Sequence, residues 1–274
     1  MEGNAEKVAD EFNGFFNSVT ESLLRREGMD RHCNMVNEVG ATAEHNNSIT
    51  TSQEYSPTLD GFRLTIGDVK GAIKTLKNKR SVGADGISSC TIKELPKFFA
   101  KILTPLFNKS LAQGFFPDWL KMTIIVPAAK GGGDPTQMTN YRPIALLSCI
   151  SKIFEKYVKD KILNYLDHIN FLADQQFGFR KNKSTDSALF VHIANIVNGI
   201  EQNNVAVGVY LDLAKAFDTV NHSLMIRKLQ TIGLRGPLLD WFTSYLSRGE
   251  HCVKIGKTYS LKLETKHGVP QGGP

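Results

Sequence analysis

The sequence predicts a mixed fold of the α+β class, with more helix than strand. Several long segments repeat apolar residues at three- and four-residue steps, the pattern of amphipathic helices. Short runs of β-branched residues, such as TIIVP at 123–127, are typical of buried strands. Hydrophobic residues make up 41% of the chain and charged residues 22%, which are ordinary globular proportions. This composition provides a core and argues against disorder throughout, a collagen-like repeat or a disulfide scaffold.

The first predicted element is an amphipathic helix at 8–24, whose apolar stripe needs a surface to cover it. The polar, Asn/Thr/Ser-rich residues that follow predict a linker up to residue 60. We therefore divide the chain into an N-terminal helix with a polar linker at 1–60 and a main domain at 61–274. The stripe of the first helix consists of Phe12, Phe15, Phe16, Val19 and Leu23.

The main domain is expected to begin with a helix that Thr65 and Asp68 cap reciprocally. Its stripe runs from Ile66 to Leu76, and a glycine-rich turn at 83–86 follows. Residues 92–111 predict a second helix, which Pro105 is expected to kink or divide because proline cannot continue the hydrogen-bond ladder. The TIIVP segment then predicts a strand.

The remaining segments continue the alternation of helix and strand. The run VAVGVYL at 205–211 is almost entirely apolar, which predicts a central strand covered on both faces. The other predicted elements are helices at 150–166, 187–201, 222–232 and 237–246, and a hairpin of 252–255 and 259–264 joined by Gly256 and Lys257.

Charge is distributed unevenly along the chain. Residues 1–60 hold 4 Lys/Arg against 11 Asp/Glu, a net charge of −7, whereas residues 61–274 hold 29 against 16, a net charge of +13. A field of that sign favours a polyanionic partner through counterion release from phosphates. A solvated basic surface explains the charge equally well at this stage.

The sequence also carries predictions about the compartment of the cell. The four cysteines lie far apart without a Cys-x-x-Cys pair, which predicts free thiols in a reducing compartment and argues against structural zinc. No apolar stretch approaches the ~18 to 20 residues of a membrane span, and the first residues do not resemble a signal peptide. We therefore expect an intracellular protein without a membrane partner, with nucleus and cytoplasm both open.

The strongest chemical signal is the segment YLDLAKAFD at 210–218. Asp212 ends the predicted apolar strand, where a rigid backbone can direct a carboxylate into a crevice and bind a hard divalent cation. A role for Asp212 in capping the next turn, and for Asp218 in capping the following helix, fits the segment equally well.

YLDLAKAFDTV resembles motif A of the reverse transcriptases, especially those of LINE-like, non-LTR retrotransposons. Five further segments match the fingers and palm blocks of that family in the expected order, and FNGFFNSV at 12–19 resembles the segment before the polymerase domain in some such elements. Collinear blocks are far more specific than any single one. The five further segments are 80–87, 114–133, 140–156, 174–189 and 267–272.

The resemblance implies a right-hand polymerase with fingers and a partial palm. By this resemblance Asp212 is the catalytic carboxylate that binds two magnesium ions, and the backbone carbonyl of Leu213 is a further metal ligand. The implied substrates are an RNA template, a DNA primer and deoxynucleoside triphosphates. Asp218 is assigned a structural role.

The same resemblance assigns nucleotide and nucleic-acid contacts. Arg142 and Arg180 match fingers positions that face the triphosphate, and arginine suits this because its planar guanidinium forms two charge-assisted hydrogen bonds to phosphate. A surface salt bridge is the alternative for each. Phe217 matches the steric gate against a ribose 2′-hydroxyl. Gln271 and Gly272 match motif B beside the nucleotide, and template contacts are assigned to Lys130, Lys181 and Lys183.

The sequence contains no aromatic-x-Asp-Asp segment, which in the family supplies the remaining metal-binding carboxylates. We therefore expect the polypeptide by itself to be inactive as a polymerase. A second hypothesis is a non-catalytic nucleic-acid-binding remnant of such a polymerase, which needs the basic surface but not Asp212. A third is a remnant that the cell does not maintain as a stable protein.

Overall fold

The computed structural model describes residues 2–26, 58–213 and 215–270. It divides into two compact units, the first formed by residues 1–160 and 215–274 and the second by residues 161–214. Most of the predicted linker lies outside the described residues, and so do Gln271 and Gly272.

Eight α-helices occur among the described residues, and they confirm every helix that the apolar periodicity predicted. None of them combines the length and the apolar composition needed to cross a membrane. In chain order they are α1 (Glu2–Arg26), α2 (Ile66–Thr75), α3 (Ser89–Glu94), α4 (Pro96–Ala112), α5 (Cys149–His168), α6 (Thr185–Glu201), α7 (His222–Thr231) and α8 (Gly236–Leu246).

Residues next to the helix ends explain two of the helix boundaries, the start of α2 and the break between α3 and α4. The predicted capping box of α2 is present: the Thr65 hydroxyl accepts from the Asp68 N–H at 3.1 Å, and the Asp68 carboxylate accepts from the Thr65 N–H at 2.8 Å. The expected division at Pro105 is wrong, because α4 continues through it. The break falls instead at Leu95, since a residue before proline disfavours helical backbone and Pro96 suits the first helical position.

One mixed sheet lies in the first unit. Its strands are β1 (Thr123–Ala129), β2 (Tyr141–Leu146), β3 (Gly249–Ile255), β4 (Thr258–Tyr259) and β5 (Leu263–Thr265). The order is β2-β1-β3-β4, and β5 also pairs with β3. Only β1 and β3 are parallel; the other pairs are antiparallel. The predicted hairpin around Gly256 is therefore confirmed, with its second arm divided into β4 and β5.

β2 was not predicted, because Pro143 interrupts its apolar pattern. In the register of β1 and β2, Pro143 lies opposite Pro127, so neither residue has an N–H that the pairing must satisfy. Pairing of the two prolines, together with the position of β2 at the edge of the sheet, makes the strand possible.

Aromatic side chains form the interior of the first unit. Trp241 on α8 is almost fully buried, and its ring centroid lies 5.1 Å from those of Phe116 and Phe154. Its indole N–H donates to the Ser110 hydroxyl at 3.1 Å, which satisfies the one polar group of the ring. Phe107 stacks on Phe154 with the centroids 4.2 Å apart, so α4, α5 and α8 share one core.

The N-terminal helix belongs to the first unit. Phe12 and Phe16 of α1 are buried in a cluster with Val253 of β3, as the stripe predicted. Beyond this apolar contact, two polar side chains of α1 hold the backbone of Leu261: Asn13 donates to its carbonyl and Asp10 accepts from its N–H, each at 2.8 Å. α1 is thus fixed to the strands by both packing and hydrogen bonds.

The predicted turn at 83–86 rests on the start of α5. A Cβ on Gly83 would lie 2.6 Å from the backbone nitrogen of Ser148, so only glycine permits the approach. The Asp85 carboxylate accepts from the Ser148 hydroxyl at 2.5 Å and from the Ile87 N–H at 3.1 Å. In the segment RSVGADGI, Gly83 and Asp85 are therefore both explained by their contacts with Ser148.

The second unit contains the end of α5, the helix α6 and irregular segments. No residue at 161–213 is buried. The prediction of a central strand at 205–211 is wrong in this structure, where the segment is irregular and Val205 and Leu211 are 90% and 92% exposed. A strand covered on both faces requires neighbouring strands and covering layers. None of the described strands pairs with this segment.

Candidate functional site

A cavity in the first unit brings together segments that are distant in sequence. The end of the YLDLAKAFD segment meets the hairpin of β1 and β2, helix α1 and residues 265–270. The cavity volume is about 120 Å³, less than the ~300 to 1,000 Å³ typical of small-molecule sites. Its polar lining includes Asn17, Glu21, Lys215, Asp218, His251, Thr265, Lys266 and His267.

Two main-chain hydrogen bonds join the sides of this cavity. The Val269 N–H donates to the Phe217 carbonyl, and the Gly268 N–H donates to the Val220 carbonyl, each at 2.9 Å. Gly268 has a φ of +80°, and a Cβ there would lie 2.7 Å from the carbonyl oxygen of Asp218. Glycine is therefore required at 268 for both its backbone conformation and this close approach.

The start of α7 holds the same glycine from another side. His222 donates from Nε2 to the Gly268 carbonyl at 2.7 Å, since a carbonyl can only accept. Asn221 caps α7 by accepting from the Leu224 N–H at 3.0 Å. The cap fixes the first turn of α7, and the histidine on that turn holds the loop that carries Gly268.

Charges of both signs surround Lys215 in the cavity. Burial lowers the pKa of Lys215, while Asp218 opposes this shift and the positive charge of Lys130 adds to it. The ammonium groups of Lys215 and Lys130 therefore lie close enough for the charge of one to affect the other. Burial also lowers the pKa of His251, whose Nδ1 lies 2.8 Å from the Thr265 hydroxyl.

Three predicted site residues lie in the first unit. Phe217 is 45% exposed and takes part in the main-chain connection. Lys130 is exposed, and its ammonium donates to the Thr139 carbonyl at 2.8 Å. Arg142 is exposed on β2, on the strand face opposite Pro143, which lines the cavity. The structure therefore does not bring Arg142 to this cavity.

The other described site residues lie in the second unit. Asp212 and Leu213 are exposed on the irregular segment after 205–211. Arg180 lies 3.4 Å from the Asp167 carboxylate and donates to two backbone carbonyls, which corresponds to the salt-bridge alternative. Lys183 donates to the Asp174 carbonyl, and Lys181 is exposed.

The arrangement implied for two magnesium ions is not assembled by the described residues. Nowhere among them do three or more His, Cys, Asp or Glu side chains cluster as metal ligands. Asp212 supplies one carboxylate, and Leu213 could add one backbone oxygen. A magnesium ion in an octahedral shell would need most of its ligands from water, substrate or other groups.

No role was predicted from the sequence for Lys215 and Gly268, which line the cavity, or for His222, which binds the Gly268 carbonyl. The signal for Gly268 was a glycine next to Val-Pro, which is typical of a tight approach. Nothing in the sequence indicated that a histidine 46 positions earlier would bind its carbonyl.

Comparison with known proteins gives a family match that covers part of the cavity lining. Residues 129–274, more than half of the chain, match the family model described as reverse transcriptase (RNA-dependent DNA polymerase). This range includes β2, the YLDLAKAFD segment and residues 265–270.

Curated relatives agree with this match. The chain is 30% identical over 233 residues to "Probable RNA-directed DNA polymerase from transposon BS" of Drosophila melanogaster, which covers 81% of the chain and 26% of that protein. It is 31% identical over 209 residues to "RNA-directed DNA polymerase from mobile element jockey" of the same organism, covering 76% of the chain and 23% of that protein. The chain thus spans about a quarter of the length of these relatives. It belongs to the reverse transcriptase (RNA-dependent DNA polymerase) family, in the branch of the non-LTR retrotransposons.

Proposed function

We propose that the chain forms the fingers and part of the palm of a polymerase that copies RNA into DNA. The observation that carries this proposal is the main-chain connection between 217–220 and 268–269 around one cavity. It joins the segments that resemble motifs A and B, which in the family act on the same nucleotide. RNA-directed DNA synthesis is the family's activity, and we extend it to this chain as part of a longer polymerase.

The reaction adds a deoxynucleotide to the 3′-hydroxyl of a DNA primer. The hydroxyl oxygen forms a bond to the α-phosphorus and gives its proton to water, the bond from the α-phosphorus to the oxygen that bridges to the β-phosphate breaks, and pyrophosphate leaves. Divalent metal, such as magnesium, supplies charge stabilisation in this family, and we propose Asp212 and the Leu213 carbonyl as ligands. Because the described residues do not assemble that site, we assign to the other residues only binding and positioning.

We propose that Lys215, which lines the cavity, attracts the triphosphate, and that the nearby positive charge of Lys130 adds to this attraction. From the resemblance, we also propose Arg142 and Arg180 as contacts of the triphosphate; in the structure Arg180 lies 3.4 Å from the Asp167 carboxylate. Phe217 is proposed to contact the sugar and exclude a 2′-hydroxyl. Template contacts are proposed for Lys130, Lys181 and Lys183, and nucleotide contacts for Gln271 and Gly272.

The proposed nucleotide site can be tested by equilibrium binding of a fluorescent deoxynucleoside triphosphate to the full chain with magnesium. We expect Lys215→Ala to weaken binding about 10-fold, since one charge-assisted contact contributes ~1.5 kcal/mol or more. Lys257→Ala, on the β3–β4 turn, is the control and should bind as the parent does. Equal affinities for the parent and Lys215→Ala would contradict the proposed triphosphate contact.

A second expectation concerns catalysis by the 274-residue polypeptide alone. The sequence contains no aromatic-x-Asp-Asp segment, so we propose that it does not extend a primer by itself. Preorganised charged groups in active sites each contribute ~3 to 4 kcal/mol, and the loss of two or more removes many decades of rate. A primer-extension assay on an RNA template should show no product above background. Magnesium-dependent synthesis by the purified chain would overturn this expectation.

The alternative is a non-catalytic nucleic-acid binder, which needs the basic residues of 61–274 (29 Lys/Arg against 16 Asp/Glu) and does not need the exposed Asp212. Under this alternative the chain binds RNA but shows no magnesium-dependent affinity for a deoxynucleoside triphosphate. Asp212→Asn should then leave both measurements unchanged. Under the polymerase proposal the same substitution weakens the magnesium-dependent nucleotide binding and spares RNA binding.

A further inference from the structure

A second concave surface of the first unit lies away from the cavity described above. It is a groove of about 480 Å³ between the segment after α2, the start of α3, the end of β2 and the first turns of α5. Lys77 and Lys79 lie on one side of it, and Lys152 and Lys156 on α5 lie on the other. We call this concave surface the lysine groove, after the four lysine side chains on its two sides. No Asp or Glu is among the residues that line it.

The floor of the lysine groove is mostly apolar. Leu147 and Cys149 are buried there, and Val82 is half-buried beside them. Burial raises the pKa of the Cys149 thiol, so this side chain contributes no negative charge at neutral pH. A basic rim above an apolar floor suits a ligand that carries negative charge along its length and apolar groups beside it.

The segment that bears Lys77 and Lys79 is held in shape by hydrogen bonds. The Ser89 hydroxyl oxygen lies 2.7 Å from the Lys77 carbonyl and 3.0 Å from the Lys79 carbonyl, so its one proton can be donated to either, and it accepts from the Lys79 N–H at 2.9 Å. The Lys93 ammonium donates to the Leu76 carbonyl at 2.9 Å. These contacts bind backbone groups of Leu76, Lys77 and Lys79, and so fix the backbone that carries the two lysine side chains.

The opposite wall has a regular spacing. Lys152 and Lys156 are four residues apart on α5, so they lie about 6 Å apart along the helix axis on one face. Lys156 pairs with Asp160 at 3.2 Å, an exposed contact of the kind that contributes little. Within the part of the chain that the structure describes, Lys77, Lys79 and Lys152 form no ion pair.

We propose that the lysine groove binds the sugar-phosphate backbone of single-stranded RNA. Its charges stand on two walls rather than converging on one point, which suits successive phosphates of a strand better than a single phosphate group. Lysine also suits contacts that need charge without a fixed fork geometry. The groove follows the general design of strand-binding surfaces, in which a basic groove tracks the backbone. The inference rests on the proposed function in one respect, that the strand is the template.

The test is binding of a fluorescein-labelled 20-nucleotide RNA to the full chain, measured by anisotropy over a range of salt concentrations. Each phosphate contact that a variant removes makes the negative slope of log K against log salt shallower by ~0.7 for a single strand. We expect Lys152→Ala with Lys156→Ala to weaken binding about 10-fold at low salt and to make the slope shallower by ~1.4. Lys77→Ala with Lys79→Ala should have the same effect.

The matched control is Lys97→Ala with Lys101→Ala, which removes two exposed lysines at the same four-residue spacing from α4. It should leave affinity and slope near those of the parent. Lys152→Arg with Lys156→Arg should keep binding, because the charges remain. If the control pair and the groove pairs lower affinity equally, the binding is a property of net charge and the proposal is overturned.

A measurement on the unmodified chain avoids any dependence on the folding of variants. Acetylation of lysines followed by mass spectrometry should show that bound RNA protects the four groove lysines and leaves Lys97 and Lys101 reactive. Equal protection of both sets would contradict the proposal. Displacement of the RNA by equimolar tripolyphosphate would assign the groove to a free polyphosphate, and tighter binding of an acidic peptide would assign it to a protein; either result also overturns the proposal.

The outcomes separate the two proposals. Loss of nucleotide binding in Lys215→Ala with no effect of the groove variants on RNA binding would leave the polymerase proposal intact and reject the groove. Weaker RNA binding in the groove variants, with unchanged nucleotide binding in Lys215→Ala, would support the groove and reject the triphosphate contact.

Discussion

Similar apolar patterns are buried in the first unit of the chain and exposed in the second. In the first, Phe154 and Trp241 are almost fully enclosed by other rings from α4, α5 and α8. In the second, helix α6 was predicted from the same kind of periodicity and forms as expected, yet none of its residues is buried. Phe190 on α6 is 74% exposed. Periodicity therefore predicts the helix correctly in both units, whereas burial depends on a partner surface that the pattern does not specify.

The most severe test of this contrast is truncation of an aromatic ring in each unit. Trp241→Ala should destabilise the first unit by ~3 to 5 kcal/mol, because it removes a buried ring and leaves a cavity. Phe190→Ala should change stability by less than ~0.5 kcal/mol, as exposed substitutions usually do. Urea unfolding monitored by circular dichroism measures both. A large loss of stability in Phe190→Ala would mean that the second unit has a core of its own.

A second comparison adds a methyl group instead of removing a ring. Gly83→Ala places a Cβ 2.6 Å from the Ser148 nitrogen, so α5 or the turn must shift; overpacking of this kind costs ~1 to 3 kcal/mol. Gly71→Ala in α2 meets nothing within 4 Å and should stabilise by up to ~1 kcal/mol through helix propensity. Thermal unfolding of the two variants should shift in opposite directions. A neutral Gly83→Ala would show that the turn does not depend on this approach.

The smallest effect concerns a buried histidine in the sheet. Burial lowers the pKa of His251 below its ordinary value of 6.5, so the folded chain holds this proton less tightly than the unfolded chain. Stability should therefore be complete above pH 6.5 and fall as the pH drops below it. His251→Gln should flatten this dependence between pH 7 and pH 5. His168→Gln, an exposed position in the second unit, is the control, and equal pH profiles for the two variants would contradict the effect of burial.

Much of the secondary structure could be predicted because local chemistry decides it. The capping box at Thr65, the stripe of α1 and the hairpin at Gly256 each follow from neighbouring residues. Two differences from expectation involve proline. Pro105 does not divide its helix, and Pro143 lies in a strand whose partner residue is also a proline. The second could not be read from residues 141–146 alone, because it depends on which residue of β1 lies opposite.

The candidate site was less predictable than the fold. The sequence could indicate which segments carry the chemistry, because their strings resemble a family. It could not indicate that Gly268 would bind the backbone of 217–220 or that His222 would hold it, since such contacts depend on three-dimensional proximity. The prediction at 205–211 failed for the same reason, because strand formation requires a neighbour.

The connection between 217–220 and 268–269 uses peptide groups, so its strength is largely independent of the side chains at those positions, apart from the need for glycine at 268. Such a contact can survive extensive divergence between mobile elements. It also implies that substitutions at 217, 220 and 269 that keep the backbone conformation should leave both hydrogen bonds in place.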